Sequence, residues 1–140
     1  MAATKTTLEW HGDMSFTVDL QGHRFTVDAD ARFGGKNQGP RPKHLVLSAL
    51  GGCTGMDLVS LLQKMKMPFD SLGVEVEGVS AEEHPQVYTR ILIRYVLKGS
   101  ELDREKIDKA IALSLQKYCA VHAMLSGSVQ ITHEVALNPA

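Results

Sequence analysis

The feature that most constrains this chain is an apolar segment over residues 43–66, with Gly51-Gly52-Cys53 at its centre. Apolar residues occupy nearly every side of the predicted helix as far as Leu62, which is typical of a helix surrounded by protein. Pro42 suits the first turn of such a helix. Because a single sheet cannot enclose it, a second layer or a second copy of the chain must cover its far side. We therefore expect a homodimer.

The chain before this helix has the pattern of antiparallel β structure. Apolar and polar residues alternate with period two within residues 7–27, with turn residues at Gly12-Asp13 and Gln21-Gly22. This predicts a meander of three strands. Residues 33–42 contain several glycines and prolines, which end regular structure and predict a loop.

The chain after the helix predicts a hairpin, a second helix and a last strand. Residues 72–79 and 87–97 alternate and should pair as a hairpin. Ser100 and Asp103 have capping-box spacing, and a helical apolar stripe continues from there to Cys119. Residues 129–137 read as a strand. The predicted order is βββ-α-ββ-α-β, an α+β fold with two central helices packed on antiparallel sheets.

Length and composition limit the class of protein. With 140 residues, of which 44% are hydrophobic and 22% charged, residues 1–140 are expected to form one globular domain. The net charge of -1 and the absence of a basic stripe argue against nucleic acid as a partner. Residues 1–7 lack the apolar core of a secretory signal, and no apolar run is expected to reach the roughly 18 residues that span a membrane. We expect a cytoplasmic protein, whose two cysteines are reduced.

Cys53 has two interpretations from spacing alone. Each glycine in a helix interior costs about 1 kcal/mol relative to alanine, so Gly51 and Gly52 indicate close approach of another backbone or room for a substrate. The sulfur would then face an apolar cavity lined by Leu45, Ala49 and Met56. Burial alone raises a thiol pKa, so a reactive Cys53 needs a nearby cation. The other interpretation, which applies to Cys119 as well, is a small apolar residue in the core.

The sequence gives weaker signals for other kinds of functional site. The six histidines form no H-x-H or H-x-x-x-H pair, and Cys119-x-x-His122 is half of a zinc signature, so neither a metal nor another cofactor is predicted. His122 or His44 beside a cysteine would suit a thiol hydrolase, but nothing nearby suggests an oxyanion hole. Gly34-Gly35-Lys36 lacks the spacing of a phosphate-binding loop.

A set of motifs resembles the OsmC/Ohr family of hydroperoxide reductases. These are Ala31-Arg32-Phe33-Gly-Gly-Lys, then Pro42, then Leu-Gly-Gly-Cys53-Thr-Gly-Met-Asp, and Lys117-Tyr-Cys119 sixty-six residues after Cys53. With Ile131-Thr-His133 they are most similar to the YhfA-like branch. The resemblance spans nearly the whole chain. It implies an OsmC-like α+β fold in which two chains intertwine, with two active sites at the dimer interface.

The resemblance also implies residue roles. Cys53 would be the peroxidatic cysteine, Cys119 would resolve its sulfenic acid as a disulfide, and Arg32 would stabilise the thiolate. An external dithiol, in this family usually a lipoylated protein, would reduce the disulfide. Lys43 stands where family members carry a glutamate paired with the arginine, so no local carboxylate is expected to hold Arg32, and Lys43 and His44 become accessory candidates.

Two functions are therefore consistent with the sequence. The first is a thiol peroxidase that reduces organic hydroperoxides to alcohols through Cys53 and Cys119, in defence against oxidative stress. The second is a dimer of the same fold that lacks peroxidase activity and either binds an apolar ligand or senses redox state.

Overall fold

A computed structural model describes residues 2–140, which divide into two compact units. The first unit ends at Val46, and the second is Leu47–Ala140. The first unit is mainly a sheet, and the second contains helices packed on a second sheet.

The first unit is the predicted antiparallel meander. Its strands are β1 (Thr6–Trp10), β2 (Ser15–Leu20) and β3 (His23–Asp28), paired in the order β1-β2-β3. Leu8 pairs with Val18 and Val18 with Phe25, so apolar residues lie side by side on one face. Gly12 and Gly22 adopt φ values of 96° and 80° in the two turns, which glycine reaches without steric cost.

A loop with two short 3₁₀ turns follows β3. The turns are Ala31–Phe33 and Pro42–His44. The Asp28 carboxylate accepts backbone N–H bonds from Ala29, Lys36 and Gln38 at 2.8, 3.0 and 3.2 Å. These bonds hold the pKa of Asp28 below its usual value. Asp28 therefore stabilises the loop that carries the first 3₁₀ turn.

The second unit packs helices on a three-stranded sheet. Its elements are α1 (Leu45–Lys64, beginning two residues before the unit), β4 (Ser71–Ser80), β5 (Tyr88–Lys98), α2 (Arg104–Leu113), a π-helical turn (Ser114–Tyr118), α3 (Ala120–Leu125) and β6 (Gln130–Leu137). β5 lies at the centre and pairs antiparallel with β4, as predicted for the hairpin. The α+β fold class is confirmed.

The core of this unit follows from the sequence periodicity. Alternate residues of β5 point inward, residues at four-residue intervals on α1 cover them, and one stripe of α2 completes the core. The buried side chains are Leu50, Leu58 and Leu62 of α1, Ile91, Ile93, Tyr95 and Leu97 of β5, and Ile107, Ala110 and Ile111 of α2.

Two predictions about the second helix are wrong. The N-cap is Asp103 rather than Ser100, because the Asp103 carboxylate accepts the backbone N–H groups of Glu105 and Lys106. The helix also does not run on through Cys119. It changes to a π-helical turn at Ser114, and Cys119 has extended backbone angles (φ -76°, ψ 101°) before α3 begins.

The prediction of antiparallel sheets holds for the first unit and fails for the second. β6 runs parallel to β5, with Ile91 opposite Ile131 and Leu97 opposite Leu137. The helical segment between β5 and β6 returns the chain to the same end of the sheet, as a parallel connection requires. The second sheet is therefore mixed.

One face of α1 is buried in the second unit. Leu50, Thr54, Leu58 and Leu62 are buried, whereas Gly52 and Met56 are exposed. The expected cover of the far side is not supplied by this chain at Gly52 and Met56, so of the two expected sources of cover the second copy stays a prediction. Pro42–Lys64 is also long and apolar enough to cross a bilayer, contrary to the sequence-based expectation. A third of its most apolar 18-residue stretch is buried inside the protein. Core helices of soluble proteins can satisfy the same criteria of length and composition.

Candidate active site

The two cysteines lie next to each other in the second unit. Both are free thiols, and a side-chain hydrogen bond with Cys53 is one of the causes that raise the pKa of Cys119. The two thiol groups are therefore neighbours. Cys53 is half-buried on α1, whereas Cys119 is 3% exposed within the core. A small reactant thus has better access to Cys53 than to Cys119.

Cys119 is held by the backbone on both sides. Its N–H donates to the carbonyl of Ser114 at 2.7 Å, which closes the π-helical turn. Its sulfur accepts the N–H of His122 at 3.4 Å and so acts as the N-cap of α3. The extended backbone at Cys119 places its thiol at the junction of two helical segments rather than on a continuous helix face.

The surroundings of Cys119 disfavour its thiolate. Burial raises the pKa of Cys119 to about 11, and the neighbouring Cys53 thiol and the Asp57 carboxylate act in the same direction. The His122 N–H opposes this rise in pKa. At neutral pH Cys119 is consequently a protonated thiol, suited to acting second rather than first.

A polar cluster whose members are buried except for the half-buried Asp57 lies beside the two cysteines. It consists of Thr54 and Asp57 of α1, Tyr95 of β5, and Ser114 of the π-helical turn. Thr54 Oγ1 lies 2.8 Å from Tyr95 Oη and 2.7 Å from Ser114 Oγ, and Ser114 Oγ donates to Asp57 Oδ2 at 2.9 Å. Burial raises the pKa of Tyr95 to about 12, so its phenol keeps its proton.

Sequence reasoning did not identify this cluster. One signal was present, because Thr54 and Asp57 are polar residues one and four positions after Cys53 in the most apolar helix. Ser114 was visible only as a member of the apolar stripe of α2. That these side chains meet depends on how α1, β5 and the π-helical turn pack, which one sequence does not reveal.

Arg32 lies in the first 3₁₀ turn of the first unit. Its Nε is 3.2 Å from Asp30 Oδ1, its guanidinium lies 5.3 Å from the centre of the Phe33 ring, and 77% of its side chain is exposed. The Asp30 carboxylate also caps the turn by accepting the Arg32 N–H, and this bond is the main reason that the pKa of Asp30 is lowered. The expectation that no local carboxylate holds Arg32 is wrong, because Asp30 does so.

Lys43 and His44 are exposed in the second 3₁₀ turn, Pro42–His44, which directly precedes α1. They belong to the first unit, like Arg32, whereas the two cysteines belong to the second. Within residues 2–140, no three His, Cys, Asp or Glu side chains lie close enough together to hold a metal ion.

An open pocket of about 530 Å³ runs along α1. It is lined by Gly51, Gly52, Gly55, Met56, Val59, Ser60, Gln63, Leu72 and Val74. A Cβ atom at Gly51 would lie 2.9 Å from Val76 Cγ2, so this glycine permits close packing of α1 on β4. Of the residues expected to form a cavity around Cys53, the pocket includes Met56 but not Leu45, Ala49 or Cys53 itself.

The fold and the site together define an α+β protein with two adjacent thiols, one on a central helix and one at a helix junction. The chain belongs to the OsmC-like protein family, whose sequence model matches residues 35–134. It is 32% identical to Protein YhfA of Escherichia coli strain K12 over 127 residues, which cover 90% of this chain and 92% of YhfA. The family resemblance drawn from the sequence motifs is confirmed.

Solved structures agree with this assignment. A hypothetical protein from Aquifex aeolicus VF5 matches with a TM-score of 0.84 and 28% identity, over 99% of this chain and all of the other. An organic hydroperoxide resistance protein OsmC from Legionella pneumophila matches with a TM-score of 0.74 over 97% of this chain and 98% of its own. At 13% identity, the Legionella protein supports the fold alone.

Proposed function

We propose that this chain is a cysteine-based peroxidase that reduces organic hydroperoxides, with Cys53 as the nucleophile and Cys119 as the resolving cysteine. The observation that carries the proposal is the contact between a half-buried thiol and a buried thiol whose pKa is raised to about 11. In such a pair the accessible sulfur can react with the peroxide first. The buried sulfur, which is protonated at neutral pH, can then react with the sulfenic acid. Family membership supports the same activity.

The reaction proceeds in three balanced steps. The Cys53 thiolate attacks the terminal oxygen of the hydroperoxide, the O–O bond breaks, and the alkoxide takes a proton to leave as an alcohol. The Cys119 sulfur then attacks the Cys53 sulfenic acid, forming the disulfide and releasing water. Finally, an external dithiol, such as a lipoylated protein, is oxidised as it returns both cysteines to thiols.

Arg32 is proposed to stabilise the Cys53 thiolate and to align the peroxide. A guanidinium keeps its charge at any physiological pH, and Asp30 restrains this one by an ion pair to Nε. The terminal nitrogens remain the natural donors to a sulfur or a peroxide oxygen. Lys43 and His44 are accessory candidates for the same positive environment.

We further propose that the chain acts as a homodimer in the cytoplasm. The support is the exposed apolar face of α1, where Met56 is 75% exposed. A second copy would remove this face from water, which is favourable for apolar surface. Sedimentation of the purified protein at the mass of a single chain would contradict the dimer.

The peroxidase proposal is tested by intact-mass analysis of Cys119→Ser after one equivalent of cumene hydroperoxide. We expect the mass to rise by one oxygen atom, with the added oxygen located on Cys53 by peptide mapping. Cys53→Ser is the matched control and should remain unmodified. An unchanged mass of Cys119→Ser would refute the proposed activity.

The second candidate is a dimer without peroxidase activity that binds an apolar ligand or senses redox state. It is favoured by the open pocket of about 530 Å³ along α1, which is lined mainly by glycine and apolar side chains. This candidate predicts that an apolar fluorescent probe binds the wild type and is excluded by Gly55→Leu. If the dimer only binds a ligand, hydroperoxide should leave Cys53 unmodified, and if it senses redox state, Cys53 should be oxidised without repeated turnover of hydroperoxide in the presence of a dithiol; each result differs from the first proposal.

A further inference from the structure

Ser114 connects the helix that carries Cys53 to the turn that carries Cys119. Its hydroxyl bonds to Thr54 and Asp57, both on α1, at 2.7 and 2.9 Å. Its carbonyl accepts the N–H of Cys119 at 2.7 Å. One residue thus links α1 directly to the backbone of the second cysteine.

The hydrogen bonds of the cluster have one direction. A carboxylate only accepts, so Ser114 donates its single hydrogen to Asp57. Ser114 must then accept from Thr54, and Thr54, having used its own hydrogen, accepts from Tyr95. The chain therefore runs from the phenol of Tyr95 to the carboxylate of Asp57.

This arrangement is unusual for the most apolar part of the molecule. Thr54, Ser114 and Tyr95 are all 0% exposed, and burying hydroxyl groups is costly unless each one is bonded. Among residues 2–140, no buried side-chain polar atom lacks a partner, so the cost is offset. What the bonds add over apolar packing is direction, because each one fixes a distance and an angle.

We propose that Thr54, Asp57, Tyr95 and Ser114 are positioning residues that hold the Cys119 turn against α1 and so set the rate of disulfide formation. This inference rests on the proposed function, because the step concerned is attack of Cys119 on the Cys53 sulfenic acid. In that step the S–S bond forms and the S–O bond breaks. The hydroxide leaves with the proton of Cys119 as water, so no further reactant is required.

The test separates the two chemical steps in one experiment. Wild type and variants are mixed with one equivalent of cumene hydroperoxide, quenched at intervals, and analysed by mass for sulfenic acid and disulfide. For Thr54→Val and Ser114→Ala we expect sulfenic acid to form at the wild-type rate and the disulfide to form about tenfold more slowly, because each substitution removes the two hydrogen bonds that its hydroxyl makes.

Two further variants serve as controls. Thr54→Ser keeps the hydroxyl and loses the methyl. It should form the disulfide at near the wild-type rate, whereas a requirement for packing of the methyl would make it slow. Thr132→Val removes an exposed hydroxyl from β6 and should change neither rate. If Ser114→Ala fails to fold, Thr54→Val and Thr54→Ser still decide the question. Folded Thr54→Val with the wild-type rate of disulfide formation would overturn the inference.

A second arm uses no peroxide, so that the inference and the proposed function fail separately. Diamide oxidises the two thiols to the disulfide, and the disulfide fraction is then measured at equilibrium with reduced and oxidised glutathione. We expect Thr54→Val to lower the equilibrium constant for the disulfide about tenfold. A wild type that forms the disulfide with diamide but neither sulfenic acid nor disulfide with hydroperoxide would refute the peroxidase alone. Equal constants for Thr54→Val and the wild type would refute the positioning role whatever the activity.

Discussion

The raised pKa of Cys119 predicts a loss of stability at alkaline pH. The pKa rises from 9.0 to about 11 on folding, so between these values the unfolded chain releases a proton that the native state retains. The contribution of Cys119 to the free energy of unfolding is complete below pH 9 and is lost as the pH rises through 11. Urea unfolding of the reduced protein across this range should therefore give a decline that is shallower in Cys119→Ala.

Tyr95 provides the internal reference for that experiment. Its pKa is raised from 10.0 to about 12, so it adds a decline of its own between these pH values in both proteins. Only the difference between the two curves reports Cys119. Parallel curves for wild type and Cys119→Ala would contradict the assigned pKa.

The different surroundings of the two cysteines could not be predicted from the sequence. Spacing and family resemblance mark both Cys53 and Cys119 as candidates, but they offer no reason to expect a raised pKa at Cys119. The rise comes from burial and from neighbours on another element, Cys53 and Asp57 of α1. The same holds for Asp30, whose pairing with Arg32 depends on a 3₁₀ turn in a segment predicted only as a loop.

The elements were predictable where one periodicity governs a segment. The meander, the hairpin, α1 and the last strand agree with the alternating or helical patterns, because burial of one face fixes those patterns. The break at Cys119 was not predictable, since residues 107–119 keep helical spacing. There the buried hydrogen bonds of Ser114 and the capping bond of Cys119 replace a continuous helix. The direction of β6 was also not encoded in its pattern, which is the same for parallel and antiparallel pairing.

Close packing of α1 on β4 predicts a specific coupling between Gly51 and Val76. In Gly51→Ala the new methyl would lie 2.9 Å from Val76 Cγ2, and valine has little rotamer freedom to move aside. Such overpacking costs about 1–3 kcal/mol, which exceeds the gain in helix propensity of about 1 kcal/mol at most. We expect Gly51→Ala to lower the free energy of unfolding by about 1 kcal/mol.

Val76→Ala should remove this penalty. In that background the methyl added at position 51 has room, so Gly51→Ala should be neutral or stabilising, and a double-mutant cycle by urea unfolding measures the coupling. Additive effects of the two substitutions would show that the close approach at Gly51 does not limit packing.

At the scale of the whole molecule, the family and the α+β class could be predicted from the sequence, and the family match and the similar solved structures confirm both. The expected single domain divides into two compact units, with Arg32 in the first and both cysteines in the second. The long apolar helix predicted a need for cover, and the chain supplies that cover on one face only. The exposed face is the reason to propose a second copy.

The most direct test of a Cys53–Cys119 peroxidase is a peptide map of the wild-type protein after one equivalent of an organic hydroperoxide. We predict that two thiols are lost for each alcohol formed, and that the product is a disulfide between Cys53 and Cys119 of the same chain. Retention of both thiols while the hydroperoxide remains unconsumed would contradict this mechanism, and so would oxidation of Cys119 ahead of Cys53.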